Sequence, residues 1–407
     1  MFHTAVFQQV AHHRQRWLRG AAGAVLTLSL LACGGGNKDN EVPPVLPPPA
    51  ANLGELVTAK ELVRISQQDI SAALAQDNSK VPATITPRYG VATFRLTYLT
   101  EDKDGAVVRA SGLVAVPQKM TGAASPVISY QHATTFSNQE APSLKLAGAE
   151  PPIVLASLGY IVVASDYVGF ADSNGLPHPY LQARATARAV LDMLSAAQTW
   201  RRSHGVADTG QLYLVGYSEG GYATMAAQRE IERSGGPLLT QLKASLPAAG
   251  PYDLQATLDA QLDRVREEYP EIAWLLRPGT LSHLGSKVRA EVRRQLMRAL
   301  VPGEADVAYD GRFIDLYLAD NQEGLKEFSS VHWGWKPSVP VYLFHGRQDQ
   351  TVPFVAGLSA LNTLTATGGA PVSLQECTQA RPTGHLECVP EYFSYAIGIM
   401  QRSATGL

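Results

Sequence analysis

The stretch Gln211–Tyr222 constrains the possible folds of this chain most strongly, because a strand, a tight turn and a helix follow one another within it. The apolar run Leu212–Val215 has the length and composition of a buried strand. It continues into the pattern G-x-S-x-G, which places Ser218 between glycines, and the residues after it favour a helix. This succession is the setting in which a serine side chain is presented as a nucleophile. We therefore predict a nucleophilic Ser218; the alternative is a small-residue turn without chemistry.

Composition and charge limit the classes of function. The chain has 407 residues, 45% of them hydrophobic, which is enough for a large core in one α/β domain with insertions. A formal net charge of −2 gives no electrostatic case for nucleic-acid binding. Cys and His residues do not have the spacing of a metal site, and no Gly-rich phosphate motif is present. We therefore expect no metal, no cofactor and no nucleic-acid partner, and the pattern leaves the oligomeric state open.

The N-terminal residues have the pattern of an export signal. Basic residues precede the apolar run Ala21–Ala32, which is too short for a membrane helix and has the length of a signal-peptide core. The sequence Leu-Leu-Ala-Cys at its end resembles a bacterial lipobox, in which the cysteine is lipidated. We predict a lipoprotein signal peptide over residues 1–32 and a lipid anchor at Cys33. The protein is then exported and anchored to the bacterial outer membrane, on its periplasmic or cell-surface side; secretion without an anchor is the alternative.

One domain is predicted after this signal. Residues 33–57 are rich in Gly and Pro and form a flexible tether, and residues 58–407 form the domain. Its first segment, Thr58–Ala75, has apolar residues at helical spacing. The segments Tyr89–Thr100 and Ala106–Val116 alternate apolar and polar residues around a turn, which predicts an antiparallel hairpin.

Strands and helices alternate after the hairpin, which predicts an α/β fold with a mostly parallel sheet. Six further strands are expected, beginning near residues 126, 161, 211, 242, 339 and 372, which gives an eight-stranded sheet in total. The interval between the sixth and seventh strands is unusually long. Its part from about residue 254 to 335 is dense in Leu, Arg and Glu and is predicted to form a helical cap or lid.

Two later segments can complete a catalytic triad with Ser218. Asp349 lies in the loop just past a predicted strand and is the expected acid, although its surroundings also suit a solvated turn. His385 follows the last predicted strand and is the expected base. His345 is the competing histidine, but its place at a strand end suits it better to shaping the turn before Asp349. In such a triad the histidine takes the serine proton, and the carboxylate stabilises the resulting imidazolium.

An oxyanion hole requires two hydrogen-bond donors. The first expected donor is the backbone N–H of Glu219, which directly follows the nucleophile. The second is the backbone N–H of His132 or Ala133, in the loop after the third predicted strand, with Thr134 as a further possibility. The carboxylate of Glu219 is expected to be exposed or paired with a nearby residue, without a catalytic role.

Cys377 and Cys388 lie on either side of His385 in the sequence. In an oxidising compartment a disulfide between them is expected. It would close a short loop around the base and hold it in place. The alternative is a pair of free thiols.

These segments together resemble the secretory lipase and esterase branch of the α/β-hydrolase superfamily, over roughly residues 89 to 400. The resemblance implies an α/β-hydrolase fold and the triad order Ser, Asp, His. Asp166 and Tyr167 match a D-Y pair of the family; they either line the site or brace its loop, and we favour bracing. The matching segments are G-Y-S-E-G-G-Y at 216–222, S-Y-Q-H-A-T-T at 129–135, V-V-A-S-D-Y-V-G-F at 162–170, H-P-Y-L at 178–181 and H-G-R-Q-D-Q-T-V-P at 345–353.

The sequence therefore predicts a serine hydrolase that cleaves small-molecule or lipid carboxylic esters through an acyl-enzyme. A serine peptidase or amidase of the prolyl-oligopeptidase type is one alternative, but the short interval between tether and hairpin has no room for the propeller of those enzymes. A non-catalytic surface binding protein on a hydrolase scaffold is the other. Pure binding would not require three triad candidates in the correct order.

Overall fold

The computed structural model describes residues 52–76, 80–82, 84–271, 273–301 and 305–407. The chain divides into two units, residues 1–50 and 51–407, and the description below concerns the second. The predicted signal peptide, Cys33 and most of the predicted tether lie outside the described residues. Within the described ranges, no helix is both long enough and apolar enough to cross a membrane.

A single mixed sheet forms the centre of the domain. Its strands are β1 (Leu56–Ile65), β2 (Val91–Glu101), β3 (Val107–Pro117), β4 (Ser125–Gln131), β5 (Ile161–Ser165), β6 (Asp208–Tyr217), β7 (Leu242–Ala248), β8 (Val341–His345) and β9 (Val372–Glu376). They lie side by side in the order β1-β2-β3-β5-β4-β6-β7-β8-β9. The ladders from β1 to β5 are antiparallel, and those from β5 through β4 to β9 are parallel.

Helices connect the strands and cover both faces of the sheet. They are α1 (Gln67–Leu74), α2 (Pro151–Ser157), α3 (Ala183–Ser203), α4 (Glu219–Ser234), α5 (Pro237–Gln241), α6 (Leu254–Glu268), α7 (Ser286–Leu300), α8 (Arg312–Leu318), α9 (Gln322–Ser329), α10 (Phe354–Ala366) and α11 (Val389–Gln401). Helices α1, α2 and α11 pack on one face of the sheet, whereas α3 and α4 pack on the other. Helices α6 to α9 occupy the chain between β7 and β8.

The two-sided packing explains the composition of the central strands. All seven residues of β4 and all five of β5 are buried, because helices exclude water from both faces. Strands covered on both sides are apolar along their length and do not alternate. The carboxyl ends of the parallel strands lie at one edge of the sheet, where open α/β sheets bind their ligands.

The predicted fold class is confirmed, with parallel strands following an antiparallel N-terminal hairpin. The predicted strand number is wrong, because the described residues form a sheet of nine strands and not eight. The error lies in Thr58–Ala75, for which a single helix was expected. Most of its first half belongs to β1, which pairs with β2, and a helix begins only after Ser66, whose side chain accepts a hydrogen bond from the N–H of Asp69. Pairing with a distant strand therefore overrides the local helical spacing.

Candidate active site

The turn between β6 and α4 holds Ser218 in a strained conformation. Its φ of 59° and ψ of −123° lie in a region that non-glycine residues rarely adopt. The turn is held by a hydrogen bond of 2.8 Å from the N–H of Ser218 to the carbonyl oxygen of Ala248. The flanking glycines are required by close backbone approach: a Cβ at Gly216 would collide with Gly220, and one at Gly220 would collide with the carbonyl of Gln131.

The structure brings the three predicted triad residues into one hydrogen-bonded chain. Nε2 of His385 lies 2.8 Å from Oγ of Ser218, and Nδ1 of the same ring lies 2.6 Å from Oδ2 of Asp349. When Asp349 is ionised, its oxygen can only accept, so Nδ1 carries the proton and Nε2 is left free to accept from the serine hydroxyl. The arrangement has the order of contacts that a nucleophile, a base and an orienting acid need.

The carboxylate of Asp349 is buried and fully engaged. Its Oδ1 accepts hydrogen bonds from the N–H groups of Thr351 and Val352, at 2.9 and 2.8 Å. Burial acts to raise the pKa of Asp349, but the hydrogen bonds from His345 and His385 outweigh it and lower the pKa to about 2. Asp349 is therefore ionised at neutral pH, as an orienting carboxylate must be.

The loop that carries His385 is tied down at several points. Cys377 and Cys388 form the predicted disulfide, with a Cα–Cα distance of 6.0 Å. The hydroxyl of Tyr217 donates a hydrogen bond of 2.6 Å to the carbonyl oxygen of His385. Since Tyr217 immediately precedes Ser218, this bond links the backbone of the candidate base to that of the candidate nucleophile.

The predicted oxyanion donors lie next to Ser218. Glu219 is the first residue of α4, so its N–H is one of the helix N–H groups that have no partner within the helix. His132 and Ala133 directly follow β4, and all three residues line the same cavity as Ser218. Among the residues that the structure describes, neither the N–H of Glu219 nor that of Ala133 donates a hydrogen bond. The assignment of the two donors stays a prediction.

The side chain of Glu219 differs from its prediction. It was expected to be exposed or paired nearby in sequence, and this is wrong: the carboxylate is buried and bonded to His178, 41 positions away, at 2.6 Å. His178 is the residue that sequence reasoning missed, although its H-P-Y-L segment was recognised. A signal was available, because an acidic residue in the first turn of a buried helix needs a partner.

Asp166 and Tyr167 are buried and are not among the residues that line the cavity. Asp166 is fully buried, and its carboxylate accepts hydrogen bonds from Oγ of Ser111 at 2.7 Å and from both Oγ and N–H of Ser143, at 2.6 and 2.8 Å. The ring of Tyr167 packs against that of His132, with 4.2 Å between centroids. These contacts favour the bracing role over the site-lining one.

A cavity of about 710 Å³ opens beside Ser218 and His385. This volume is within the range of sites for small organic ligands. Its wall combines residues of the sheet edge with Leu300 at the end of α7. Phe136 and Leu386 also line it and keep 40% and 75% of their surfaces exposed, so the cavity has apolar side chains that a substrate can contact. In the described part of the chain, no three His, Cys, Asp or Glu side chains are grouped so that they could hold a metal ion.

Part of the chain is similar to a known protein family. Residues 132–242, which run from the end of β4 to the start of β7, match the family model described as secretory lipase. No curated protein matches the chain.

Solved structures share the fold over most of the chain. A protein of Legionella pneumophila, described as a candidate hydrolase, is 25% identical with a TM-score of 0.66, and the match covers 86% of this chain and 98% of that one. The rice cell wall degrading esterase LipA from Xanthomonas oryzae is 24% identical with a TM-score of 0.64, covering 86% and 98%. Candida antarctica lipase A is 17% identical with a TM-score of 0.52, covering 82% and 78%.

The last two likenesses concern the fold, and the family match concerns the segment around the candidate nucleophile and oxyanion loop. The comparisons support a hydrolase of the esterase or lipase type. The chain therefore has the α/β-hydrolase fold and resembles the secretory lipases and esterases.

Proposed function

We propose that this protein is a serine hydrolase that cleaves carboxylic esters through an acyl-enzyme. The observation that carries the proposal is the continuous chain of hydrogen bonds from Ser218 through His385 to Asp349, at the wall of a cavity. A strained serine, an imidazole in hydrogen-bond contact with it and a carboxylate with a lowered pKa are together suited to one task, the removal of the serine proton during attack on a carbonyl carbon.

Acylation begins when Oγ of Ser218 attacks the ester carbonyl carbon and Nε2 of His385 takes the hydroxyl proton. The carbonyl oxygen becomes negatively charged and is stabilised by the N–H groups of Glu219 and of His132 or Ala133. Asp349 stabilises the imidazolium that has formed. The tetrahedral species then collapses, the alkoxide leaves, and it departs as an alcohol with the proton that the imidazolium returns.

Deacylation repeats the same steps with water. Nε2 of His385 removes a proton from a water molecule as its oxygen attacks the acyl carbon. The second tetrahedral species expels Oγ of Ser218, which regains its proton from the imidazolium. The products are a carboxylic acid, an alcohol and the free enzyme, so every proton is accounted for by one histidine.

The helices between β7 and β8 belong to the same proposal. We assign residues 254–335 to a cap that selects the substrate, because the last turn of α7 contributes Arg298, Ala299 and Leu300 to the cavity wall. Insertions at this edge of an α/β sheet commonly carry binding residues. A series of p-nitrophenyl esters from acetate to palmitate measures the acyl preference that this wall sets.

Turnover of p-nitrophenyl butyrate tests the reaction. The Ser218→Ala variant should fold normally and lose nearly all activity. Ser234→Ala is the matched control, because Ser234 is exposed at the far end of α4, the helix that Ser218 precedes, and this variant should keep full activity. Unchanged turnover in Ser218→Ala would show that Ser218 is not the nucleophile and would contradict the proposal. Faster cleavage of a peptide p-nitroanilide than of the ester would favour a peptidase, and no turnover of either would favour a binding protein.

Export of the protein is proposed together with this activity, since the matching family is described as secretory. The lipobox-like sequence supports a lipid anchor at Cys33 on the outer membrane, with a lipoprotein signal over residues 1–32 and a tether over residues 33–57. Metabolic labelling with an alkynyl fatty acid should mark the wild-type protein and not Cys33→Ser. Equal labelling of both, or of neither, would contradict the anchor.

A further inference from the structure

The carboxylate of Glu219 and the imidazole of His178 form a buried pair next to the candidate nucleophile. The distance between Oε1 of Glu219 and Nε2 of His178 is 2.6 Å, and the two side chains are only 3% and 2% exposed. Glu219 directly follows Ser218 and lines the same cavity. The triad mechanism makes no use of either side chain, so the presence of a carboxyl group at this place needs its own explanation.

The contacts of His178 fix the number of protons that the pair holds. Nδ1 lies 2.8 Å from the carbonyl oxygen of Val168, which can only accept, so Nδ1 must carry a hydrogen. The short contact between Nε2 and Glu219 then requires one proton between the two atoms. The pair is therefore either imidazolium and carboxylate or imidazole and carboxylic acid. In both forms its net charge is zero.

The position of His178 is set by the chain on both sides of it. Its N–H donates a hydrogen bond of 2.7 Å to the carbonyl oxygen of Ala308, and its own carbonyl oxygen accepts one of 2.9 Å from the N–H of Asp310. Its ring packs against the rings of Tyr167 and Tyr309. The imidazole is thus held against Glu219 by backbone bonds and by aromatic contacts that come from separate parts of the fold.

Of the described residues, three other cationic side chains line the cavity, Lys80, Lys145 and Arg298, but none of them forms a hydrogen bond or ion pair with Glu219, and both lysines pair with Glu150. Burial lowers the pKa of His132 and raises the pKa of each neighbouring tyrosine, so all of them are neutral near neutral pH. The charge of Glu219 affects the pKa values of several buried neighbours, namely His132, Tyr167, Tyr180, Tyr222 and Tyr309. Among these described neighbours, His178 is the one group in hydrogen-bond contact that can neutralise the carboxylate.

Neutrality matters at this position because of the charge that the reaction creates. The carbonyl oxygen of the substrate becomes an anion beside the N–H of Glu219, which is the first donor of the proposed oxyanion hole. An uncompensated carboxylate on the same residue would repel that anion, and because this carboxylate is buried, water would screen the repulsion only weakly. The repulsion would appear only as negative charge develops, so it would slow the chemical step more than it would weaken substrate binding.

We propose that His178 is a positioning residue that holds a proton against Glu219, so that the two side chains together carry no net charge. The oxyanion then forms beside the peptide N–H of Glu219 without an uncompensated carboxylate nearby. The inference rests on the proposed ester hydrolysis and adds a requirement to it. It predicts that removal of His178 is harmful mainly because of Glu219, and that removal of both partners is better tolerated than removal of His178 alone.

The test compares three variants by their kinetics on p-nitrophenyl butyrate. His178→Gln keeps a donor for Glu219 but no positive charge, and it should lower kcat by about 10- to 100-fold at about pH 8, with a smaller change in KM. Glu219→Gln should cost less than about tenfold, because the amide can still donate a hydrogen bond to Nε2 of His178 and introduces no charge. The double variant should be faster than His178→Gln. His204→Gln, an exposed histidine outside the cavity, is the matched control.

The pH dependence separates a charge effect from a loss of shape. A buried carboxylate without a cation is protonated more readily, so the ratio of the double variant's kcat to that of His178→Gln should be smaller at about pH 6 than at about pH 8. Equal kcat in the double variant and His178→Gln, at both pH values, would mean that His178 acts only through packing and would overturn the proposal.

Thermal unfolding of the same variants tests the pair without reference to activity. His178→Gln should lower Tm more at about pH 8 than at about pH 6, and the addition of Glu219→Gln should remove that difference. If wild type and Ser218→Ala show equal ester turnover, the proposed function is wrong. The pH dependence of Tm still tests the charge pairing of His178 with Glu219 in that case. If His178→Gln unfolds and the double variant folds, the charge explanation is supported; a Tm loss that is independent of pH in both variants overturns it.

Discussion

The imidazole of His345 is in contact with the carboxylate of Asp349: Nε2 of His345 lies 3.4 Å from Oδ2, the same oxygen that the candidate base contacts. The same Nε2 lies 2.9 Å from the carbonyl oxygen of Val352, to which it donates. The ring is fully buried, and Gly357 leaves room for it, since a Cβ there would lie 2.6 Å from its Nδ1. His345 therefore supports the acid at the same carboxylate oxygen that the base contacts.

Removal of this support should weaken catalysis without abolishing it. His345→Gln leaves the bonds from the N–H groups of Thr351 and Val352 to Asp349 in place, so we expect kcat to fall by about tenfold through misplacement of the carboxylate. The pKa of Asp349 should rise, because one of the hydrogen bonds that lower it is removed, so its contribution to the unfolding free energy should be lost at a higher pH than in wild type. His204→Gln serves as the control, and a pH dependence of unfolding identical to that of wild type would contradict the role given to His345.

The lowered pKa of Asp349 also predicts how stability depends on pH. The pKa is about 2 in the folded protein against an ordinary value of 3.8, so the ionised form is favoured by folding. The stabilisation is complete above pH 3.8 and is lost as the pH falls toward 2, and it amounts to about 2 kcal/mol. Urea denaturation at several pH values measures it. The difference in unfolding free energy between wild type and Asp349→Asn should shrink at acid pH, and a constant difference would refute the assignment.

The triad candidates can be identified in the sequence because each lies in a short local pattern just past its own strand. In a parallel arrangement the carboxyl ends of those strands share an edge, so three local patterns imply one site. The fold class follows from the alternation of strands and helices for the same reason. Neither inference requires knowledge of which strand lies beside which.

The features that the sequence does not predict depend on contacts between distant segments. Leu56–Ile65 has no strong alternation, and only its ladder with β2 makes it a strand. Glu219 and His178 are 41 positions apart and come from segments with unrelated local patterns. Pairings of this kind are decided by packing in the folded chain, which single-sequence periodicity does not describe.

Asp166 should be important for stability and less so for substrate binding. Asp166→Ala removes the acceptor for Ser111 and Ser143 in a buried position, and we expect a loss of about 2–4 kcal/mol in unfolding free energy. KM should change little, since Asp166 does not appear in the cavity lining. Asp263→Ala, whose carboxylate is 61% exposed in a surface ion pair, is the control and should cost less than about 0.5 kcal/mol. A large increase in KM in Asp166→Ala would instead support the alternative that Asp166 contributes to the substrate site.

The disulfide between Cys377 and Cys388 should stabilise both the domain and the position of the base. It joins residues 11 apart in sequence, and on the loop-entropy model its removal costs about 2–3 kcal/mol. His385 lies within the closed loop, so the Cys377→Ala/Cys388→Ala variant should lose kcat more than it raises KM. Chemical denaturation and steady-state kinetics measure the two effects separately.

Reduction of the wild-type protein provides an independent check on this disulfide. A thiol reductant should reproduce the losses in unfolding free energy and kcat in wild type and in Cys33→Ser, because both retain the 377–388 bond. It should have no effect on the double alanine variant, which has no bond to reduce. The two variants of the test separate stability from placement of the base. If the alanine variant is less stable but keeps its kcat, the disulfide stabilises only the fold. The hydrogen bond from the hydroxyl of Tyr217 to the carbonyl oxygen of His385 is then sufficient to place the base. Equal stability and equal kcat in all three proteins, with and without the reductant, would contradict both roles.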